Sequence, residues 1–372
     1  MKINLTSIVN KIPVIDSSSN YWLVRADSGK FYQDFLMNGY IGLAWNDISL
    51  KFIKDSNNDT EKIKNKLKHS EYIDHEDTNE QSYGTWANQL IKFVNGLKIN
   101  DMVVVPSKQS EFFMVGKITS DPFEVKKKEL ADMQSDEYPT SDYLKRRHVR
   151  WFGSFSRDEA DTALYKMIYS QHTLSDINFY KPYINRALFD AYIEDNQLHI
   201  TFKVTQDAGI PANDLGRFMY QISDLYKIYD PENDVITKVN VQSPGPIETI
   251  FKNVFKGALV VCALGLCSAI PYGGKFDIGN DVIGHVSFEL PGVATVHQEN
   301  EAKKLKNKEQ EIKNNEEELK LEKDAVNQAV KMRVPISKLG LKLPKTVEAQ
   351  LQEEVDRQIE KQKDKQIKDN NQ

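Results

Sequence analysis

The chain has 372 residues, a formal net charge of −5 at pH 7 and 28% charged residues. This length is enough for two domains of ordinary size and a tail. The acidic balance excludes a chain that is basic overall and coats nucleic acid by electrostatics alone. Cys262 and Cys267 are the only cysteines, which fits a reducing compartment without a disulfide framework.

The first residues, MKINLTSIVNKIPVIDSSS, lack the apolar stretch and the small-residue cleavage site of a secretory signal. We therefore expect a cytoplasmic location. The chain next alternates between strand-like and helix-like patterns. Residues 21–27 and 40–45 are rich in β-branched and aromatic side chains and predict strands. The segment between them, SGKFYQDFLMNG, starts with Ser-Gly and ends with Asn-Gly, which predicts a short helix.

Residues 51–82 are polar and are interpreted as an insertion over the surface. YGTWANQLIKFVNGLKIND then has the apolar spacing of an amphipathic helix. MVVVPS and EFFMVGKITS, separated by the polar KQSE, predict a hairpin, and KRRHVRWFGSFS predicts one more strand. The simplest assembly of these pieces is a small, mostly antiparallel sheet that curls around one or two helices.

The middle of the chain predicts a second, smaller α+β domain. Residues 157–186 carry a predicted helix, marked by Ala163, Leu164, Met167 and Ile168, and then HTLSDINFY. ALFDAYIEDNQLHITFKV predicts a hairpin that turns at Asp195 and Asn196. PANDLGRFMYQISDLYKIYD has a 3.6-residue period with Pro211 near its start, which indicates a helix. VITKVNVQSPGPIETIF predicts a strand followed by a Pro/Gly turn.

The run from Gly257 to Tyr272 is almost entirely apolar. As a helix it reaches about 24 Å, whereas the hydrocarbon core of a bilayer is about 30 Å thick. Three interpretations stay open: a buried core helix, a short membrane-inserted or membrane-associated helix, and an oligomer interface.

Residues 301–372 are densely charged and predict a helical tail. It carries a thin apolar stripe in place of a full coiled-coil seam, so it is interpreted either as a solvated helix or as a contact for a second copy or a partner protein. A first set of apolar residues recurs every seven positions and a second set every four: Leu305, Ile312, Leu319 and Val326, then Val347, Leu351, Val355 and Ile359.

An ordered set of motifs resembles the EVE/PUA-like superfamily over residues 15–157, about two fifths of the chain. The motifs are YWLVRA, GYIGLAWND, YGTWANQLIKFVNGLKINDMVVVPS, EFFMVGKI and RRHVRWFG. Here IND replaces the Gly-Asp that is usual in the family, and the 51–82 insertion is longer than expected. Related modules stand at the front of modification-dependent restriction and other phage-defence proteins. The resemblance implies a domain that binds a modified base flipped from nucleic acid, or a comparable small ligand, in an aromatic-walled pocket.

The resemblance implies a site at the exit of strand 40–45. Trp45 would stack on an unstacked base and Asn46 would hydrogen-bond its edge. Further ligand-binding residues would supply phosphate contacts and a second aromatic wall: Arg25, Trp86, Ser107, Arg147, His148 and Trp151. Trp45 and Trp86 are also open to interpretation as core residues, and the basic cluster around Arg147 as a solvated loop.

Two catalytic or metal-binding interpretations are weaker. Asp101 with Glu124 and Lys126 superficially resembles the carboxylates and lysine of a metal-dependent nuclease, but such a pattern arises readily in a chain this charged. His69 and His75 lie in the polar insertion without ligands at tight helical spacing. Phosphate-loop, nucleophile-elbow and Cys–His motifs are absent from the sequence. We therefore expect no cofactor, no metal ion and no catalytic residue.

The sequence thus predicts an α+β protein whose first domain has a small curled, mostly antiparallel, PUA-like sheet. Its expected function is that of a non-enzymatic sensor that binds a modified base or nucleotide in anti-phage defence, with the C-terminal part for assembly or signalling. The alternatives are a membrane-acting defence effector that uses residues 257–272 and, less well supported, a nuclease. The expected divisions are residues 1–157 (ligand-binding domain), 158–255 (α+β domain), 256–300 (apolar helix and strand segment) and 301–372 (charged helical tail).

Overall fold

The chain forms two compact units in a computed structural model. Unit I is Ser18–Leu188, and unit II is Met1–Ser17 together with Phe189–Gln372. Both contain helices and sheet, so the fold class is α+β with mixed sheets. The structure describes residues 5–71, 73, 75–76, 78–158, 160–170, 172–204, 211–239, 246–269, 325, 328, 341–345, 347–353 and 356.

The helices are α1 (Leu5–Lys11), α2 (Tyr32–Asn38), α3 (Leu50–Asp55), α4 (Thr60–Leu67), α5 (Glu80–Ile91), α6 (Tyr165–Ile168), α7 (Lys181–Leu188), α8 (Ala212–Tyr229) and α9 (Val254–Ala269). The strands are β1 (Val14–Ile15), β2 (Tyr21–Val24), β3 (Tyr40–Leu43), β4 (Met102–Pro106), β5 (Phe112–Ile118), β6 (Phe123–Glu124), β7 (Lys145–Ser156), β8 (Leu174–Asp176), β9 (Ala191–Glu194), β10 (Gln197–Val204), β11 (Ile236–Val239), β12 (Pro246–Phe251) and β13 (Leu341–Lys342).

The sheet of unit I has the strand order β3-β7-β5-β4-β2-β8, and β6 also pairs with β7. Only the β2–β4 pair is parallel among these pairings, and the sheet curls into a half-barrel. A register shift between Val115 and Gly116 marks a bulge where β5 meets the long strand β7. Bulges of this kind bend a strand and increase its twist, which favours curling.

The helix predicted between β2 and β3 is present, and its end is confirmed. Gly39 adopts φ +63° and its N–H bonds to the Phe35 carbonyl, which is a left-handed C-cap. The helix begins at Tyr32, later than expected, because Asp27, Ser28 and Gly29 all have positive φ and form a left-handed turn.

The 51–82 segment does more than cover the surface. It contains α3 and α4, which begin at the capping side chains of Ser49 and Asp59. Ile53, Ile63 and Leu67 are fully buried in the core of unit I. The interpretation as a surface insertion is therefore wrong for these residues, because a weak apolar period in a polar segment is enough to bury one face.

The helix predicted around Leu164 and Met167 is present but short, as α6, and the HTLSDINFY segment after it forms β8 and a turn that leads into α7. Strand β8 pairs with β2 at the edge of the sheet. Leu164, Met167, Ile177 and Ile184 pack into the same core as β2 and β4. Unit I consequently extends to Leu188, whereas the sequence placed the end of the first domain at residue 157.

Unit II has a sheet of order β1-β9-β10-β12-β11, with β13 added to β10. The predicted β9–β10 hairpin is present, and Asp195 and Asn196 at its turn have φ +49° and +58°. Such left-handed pairs match the twist of the strands that they join. Helix α8 follows Pro211 as predicted.

The apolar run forms α9, whose residues Ala258–Leu264 are all buried in the core of unit II. The core also includes α1 and α8, so residues 258–264 of α9 pack against protein. Residues 270–272 of the run lie outside the described residues. Within the described ranges, no helix combines the length and the apolar character that crossing a bilayer requires.

Part of the charged tail belongs to the fold of unit II. Strand β13 pairs with β10, and residues 347–353 are helical. Val347 and Leu351 are buried in the unit II core, and a Cβ built on Gly265 would lie 2.6 Å from Leu351 Cδ1. The seven-residue stripe from Leu305 to Val326 lies outside the described residues.

We predict that Gly116→Ala destabilises unit I by about 1–3 kcal/mol. The new Cβ would lie 2.5 Å from both Trp151 Cε3 and Val149 Cγ1, and 2.9 Å from the Arg150 carbonyl oxygen. Urea unfolding monitored by tryptophan fluorescence measures the change. Gly84→Ala is the matched control, because nothing lies within 4 Å of its added methyl group and it removes a glycine from α5. Equal stability of the two variants would contradict this packing.

We predict that Leu351→Ala lowers the stability of unit II by about 2–5 kcal/mol, because it leaves a cavity against α9. The control is Glu353→Ala, which removes an exposed ion pair with Lys11 of 3.0 Å and should change little. Thermal unfolding followed by circular dichroism compares the two. If Leu351→Ala unfolds like the wild type, the tail is not part of the core.

Candidate ligand-binding site

Trp45 lies just after β3 in a left-handed conformation, with φ +57°. Positive φ is a genuine outlier for a bulky residue and persists only where the surroundings hold it. The Trp45 carbonyl accepts hydrogen bonds from the Ile48 N–H, at 3.0 Å, and from Lys145 Nζ, at 2.8 Å. The ring is half-buried against the unit I core. Two hydrogen bonds therefore hold the backbone at the end of β3, and the indole ring of Trp45 lies at the edge of the unit I core.

A row of aromatic rings supports Trp45. Trp86, on α5, lies 5.8 Å from it with a 39° tilt, and Tyr83 contacts Trp86 edge-on at 5.7 Å. His75 stacks on Tyr83 at 6.0 Å and hydrogen-bonds both the Tyr83 hydroxyl, at 2.7 Å, and the Ser70 carbonyl, at 2.8 Å. Both ring nitrogens of His75 are thus occupied within the protein.

The distance between Trp45 and Trp86 decides their roles. A base held between two rings needs two stacking separations, about 7–8 Å in all. At 5.8 Å the two indoles are already in contact, so they do not form a sandwich. Trp86 therefore packs against Trp45 and does not form a second wall across a bound base.

Asn46 uses its amide to hold a neighbouring loop. Its Nδ2 donates to the carbonyl and carboxylate oxygens of Asp142, at 2.9 and 3.2 Å, and its Oδ1 accepts from the Leu144 N–H at 3.1 Å. The side chain expected to contact a base edge thus fixes the loop that leads into β7. It positions Lys145, the first residue of that strand.

Lys145 is fully buried beside Trp45, which the sequence did not indicate. Burial lowers the pKa of Lys145 to about 8, because a charged ammonium is disfavoured away from water. The carboxylates of Glu124, Asp47 and Asp142 act in the opposite direction and favour the charged form. The site therefore combines an indole face, one buried ammonium and three nearby carboxylates.

The two arginines predicted to bind phosphate, Arg25 and Arg147, donate their hydrogen bonds to backbone carbonyls of the protein. Arg25 donates from Nε to the Ser170 carbonyl and from Nη2 to the Ile168 carbonyl, and burial lowers its pKa. Arg147 is 1% exposed and donates to the carbonyls of Phe93, Val94 and Ser120. Burial lowers the pKa of Arg147 to about 10. Arg147 satisfies carbonyls at the end of the helical region that follows α5.

The remaining predicted site residues lie at other places on unit I. Ser107 Oγ accepts from the Phe112 N–H in the β4–β5 turn, and exposed His148 stacks on Phe123 at 4.5 Å. Trp151 donates its indole N–H to the Phe35 carbonyl at 3.0 Å. Among the described residues, no hydrogen bond or ring contact joins these side chains, Arg25 or Arg147 to Trp45. The structure brings together only Trp45, Asn46 and Trp86 of the predicted set.

The carboxylates of the nuclease interpretation have protein partners. Asp101 is buried and accepts hydrogen bonds from the indole of Trp22, the backbone and side chain of Asn20, and the Lys98 N–H. Glu124 accepts from the Leu50 N–H. In the part of the chain that the structure describes, no set of three or more His, Cys, Asp and Glu side chains is placed to hold a metal ion.

A family model described as "Domain of unknown function (DUF8426)" matches residues 21–178. The match lies within unit I and contains every residue of the site around Trp45. The comparisons with curated proteins and with solved structures gave no match.

We predict that the stability of Lys145→Met relative to the wild type falls by about 3 kcal/mol between pH 7 and pH 10.5. The unfolded chain keeps its proton up to about pH 10.5, whereas folded Lys145 releases it near pH 8. Between these values the unfolded state binds more protons, so wild-type stability rises with pH by about 3 kcal/mol from this group. Met does not titrate.

Urea unfolding of both proteins from pH 7 to 10.5 tests this, since the other titrating groups cancel in the difference. The difference in unfolding free energy between the two proteins should be constant below pH 8 and should shift in favour of the wild type above it. A difference that does not change with pH would mean that Lys145 is not buried as a charged group.

Proposed function

We propose that unit I binds an unstacked nucleobase, free or extruded from nucleic acid, on the outer face of Trp45, and that the chain acts as a non-enzymatic sensor. The observation that carries this proposal is the strained, half-buried Trp45, held by Lys145 and braced by Trp86. Every base has a flat face, so a rigid indole at a strand exit can bind one by stacking.

The backbone strain at Trp45 supports a binding role. Holding a bulky residue at positive φ costs about 1–3 kcal/mol, and such residues cluster at ligand sites. A residue that served only to fill the core would avoid this cost with ordinary φ. Here the strain fixes the ring before a ligand arrives, which reduces the ordering cost of binding.

The order of elements in unit I also supports the proposal. A curled sheet that includes β2, β3, β4, β5 and β7, with α5 before β4, agrees with the element order by which the sequence resembles EVE/PUA-like domains. On that resemblance the ligand is a modified base or a nucleotide and the setting is defence against phage. Unit II, with its tail, would serve assembly or signalling.

We predict that Trp45→Ala weakens nucleobase binding by about 5- to 150-fold, the effect of losing one base–aromatic stack. Isothermal titration of the full chain with nucleosides and with single-stranded DNA containing modified bases measures it. Trp45→Phe keeps a smaller aromatic face, so its affinity for nucleobases should lie between those of the wild type and Trp45→Ala.

Phe152→Ala is the matched control, because it removes another partly exposed aromatic ring, which is 41% exposed on β7. It should bind like the wild type. If neither nucleosides nor DNA bind, or if Trp45→Ala binds as tightly as the wild type, the proposed function is wrong.

A further inference from the structure

The β6–β7 loop, residues 125–144, contacts a buried cation. Arg146 is 5% exposed, and its guanidinium carbon lies 3.9 Å from the centroid of the Tyr40 ring. Its Nε donates to the Tyr143 carbonyl at 2.8 Å and its Nη2 to the Ser141 carbonyl at 3.4 Å. Within the described ranges, no carboxylate forms an ion pair of 4.0 Å or less with Arg146. This buried charge therefore depends on neutral acceptors.

The third partner of Arg146 is a thioether. Its Nη1 donates to Met133 Sδ at 3.5 Å. Because a thioether sulfur is a weak acceptor, this donor has the poorest partner of the three. Met133 lies in a turn in which its N–H bonds to the Leu130 carbonyl, and the residue is 42% exposed. An exposed methionine is thus joined through its sulfur to a buried guanidinium.

We propose that Met133 is a site of reversible oxidation by hydroperoxides, and that its sulfoxide oxygen binds Arg146 and stabilises the β6–β7 loop. With hydrogen peroxide, a sulfur lone pair attacks one peroxide oxygen and the O–O bond breaks. The departing hydroxide takes the proton of the transferred hydroxyl and leaves as water, so that an S=O group remains. Sulfur loses two electrons and the peroxide gains them. Methionine sulfoxide reductases reverse the change.

The sulfoxide is a better partner for Arg146 than the thioether is. Its oxygen carries partial negative charge, and a hydrogen bond from a guanidinium to such an oxygen is charge-assisted. The oxygen is bonded to the sulfur that Nη1 already contacts, so it is next to the donor. Oxidation usually disrupts a structure because it puts a polar group among packed apolar side chains. Met133 is exposed and loses little packing, so we expect the opposite sign here.

The other described methionines provide the comparison. Met102, Met114 and Met167 are at most 4% exposed, so peroxide should reach them more slowly. Met37, on α2, is 64% exposed, and no polar group of the described residues contacts its sulfur. It should be oxidised as readily as Met133, but its sulfoxide would gain no partner. Met37 is therefore the matched control.

Oxidation of Met133 would act on the segment beside the candidate site. The Ser141 and Tyr143 carbonyls that Arg146 binds belong to the segment that Asn46 also holds, through Asp142 and the Leu144 N–H. This segment directly precedes β7. A stronger bond at Met133 would hold the loop more firmly to Arg146 and so restrict the segment. The inference does not require a base to bind, so it stands or falls apart from the proposed function.

The test is hydrogen–deuterium exchange of the full chain, followed by mass spectrometry, before and after treatment with hydrogen peroxide. Peptide masses report which methionines are oxidised. We expect exchange over residues 126–141 to slow by about 10- to 100-fold once Met133 is oxidised, which corresponds to one added hydrogen bond to a charged group. Methionine sulfoxide reductase should restore the original rate.

Three variants assign the effect. Met133→Leu keeps an apolar side chain that peroxide does not oxidise, so treatment should leave its exchange unchanged. Met133→Gln places an amide oxygen near Arg146 and should slow exchange in the loop without peroxide. Met37→Gln should exchange over residues 126–141 like the wild type.

Three results would overturn the inference. Oxidation of Met133 could speed up exchange in the loop, as it does where a sulfoxide disrupts packing. Peroxide could slow exchange equally in Met133→Leu, which would assign the effect to another residue. Peptide masses could show Met37 oxidised and Met133 intact, which would mean that the Met133 sulfur is closed to peroxide.

Discussion

The burial of the Lys145 ammonium beside the Trp45 carbonyl is the constraint on which the site of unit I depends. A buried cation is tolerated only if nearby groups offset its lost hydration. Here a carbonyl oxygen bonds it directly at 2.8 Å and three carboxylates surround it at longer range. The same contact fixes the exit of β3, so the site exists because this charge is buried there.

Much of the surrounding structure holds this contact in place. Asn46 hydrogen-bonds the end of β3 to the loop at Asp142 and Leu144. Lys145, the first residue of β7, directly follows this loop. A second buried network reaches the same loop, since Asp34 accepts hydrogen bonds from the Tyr40 hydroxyl and from the Ser141 N–H, the latter at 2.8 Å. The polar bonds therefore converge on the short segment that precedes β7, which makes its position precise.

The sequence predicted the elements whose periodicity is strong, such as β3, α5, α8 and the turn at Asp195. Over residues 157–186 it predicted a helix where α6 lies but not the pairing of β8 with β2, because the apolar residues there belong to several short elements. It also placed Trp45 and Trp86, which contact each other, in one candidate site, but it did not indicate that Lys145 is buried beside Trp45. Lys145 is 100 residues from Trp45 in the chain. A lysine in a basic run is ordinarily expected to be exposed to solvent. Only the pairing of β3 with β7 brings the two together.

The most direct test of the central claim, that a base stacks on Trp45, is a spectrum of the indole N–H groups. The chain has four tryptophans, so ¹⁵N-tryptophan labelling gives four resolvable indole signals, and Trp45→Phe identifies one of them. Titration with nucleosides should shift the Trp45 signal strongly and saturably. The Trp22 signal, from an indole bonded to buried Asp101, should stay in place. A Trp45 signal that does not move while a nucleoside binds would contradict the account.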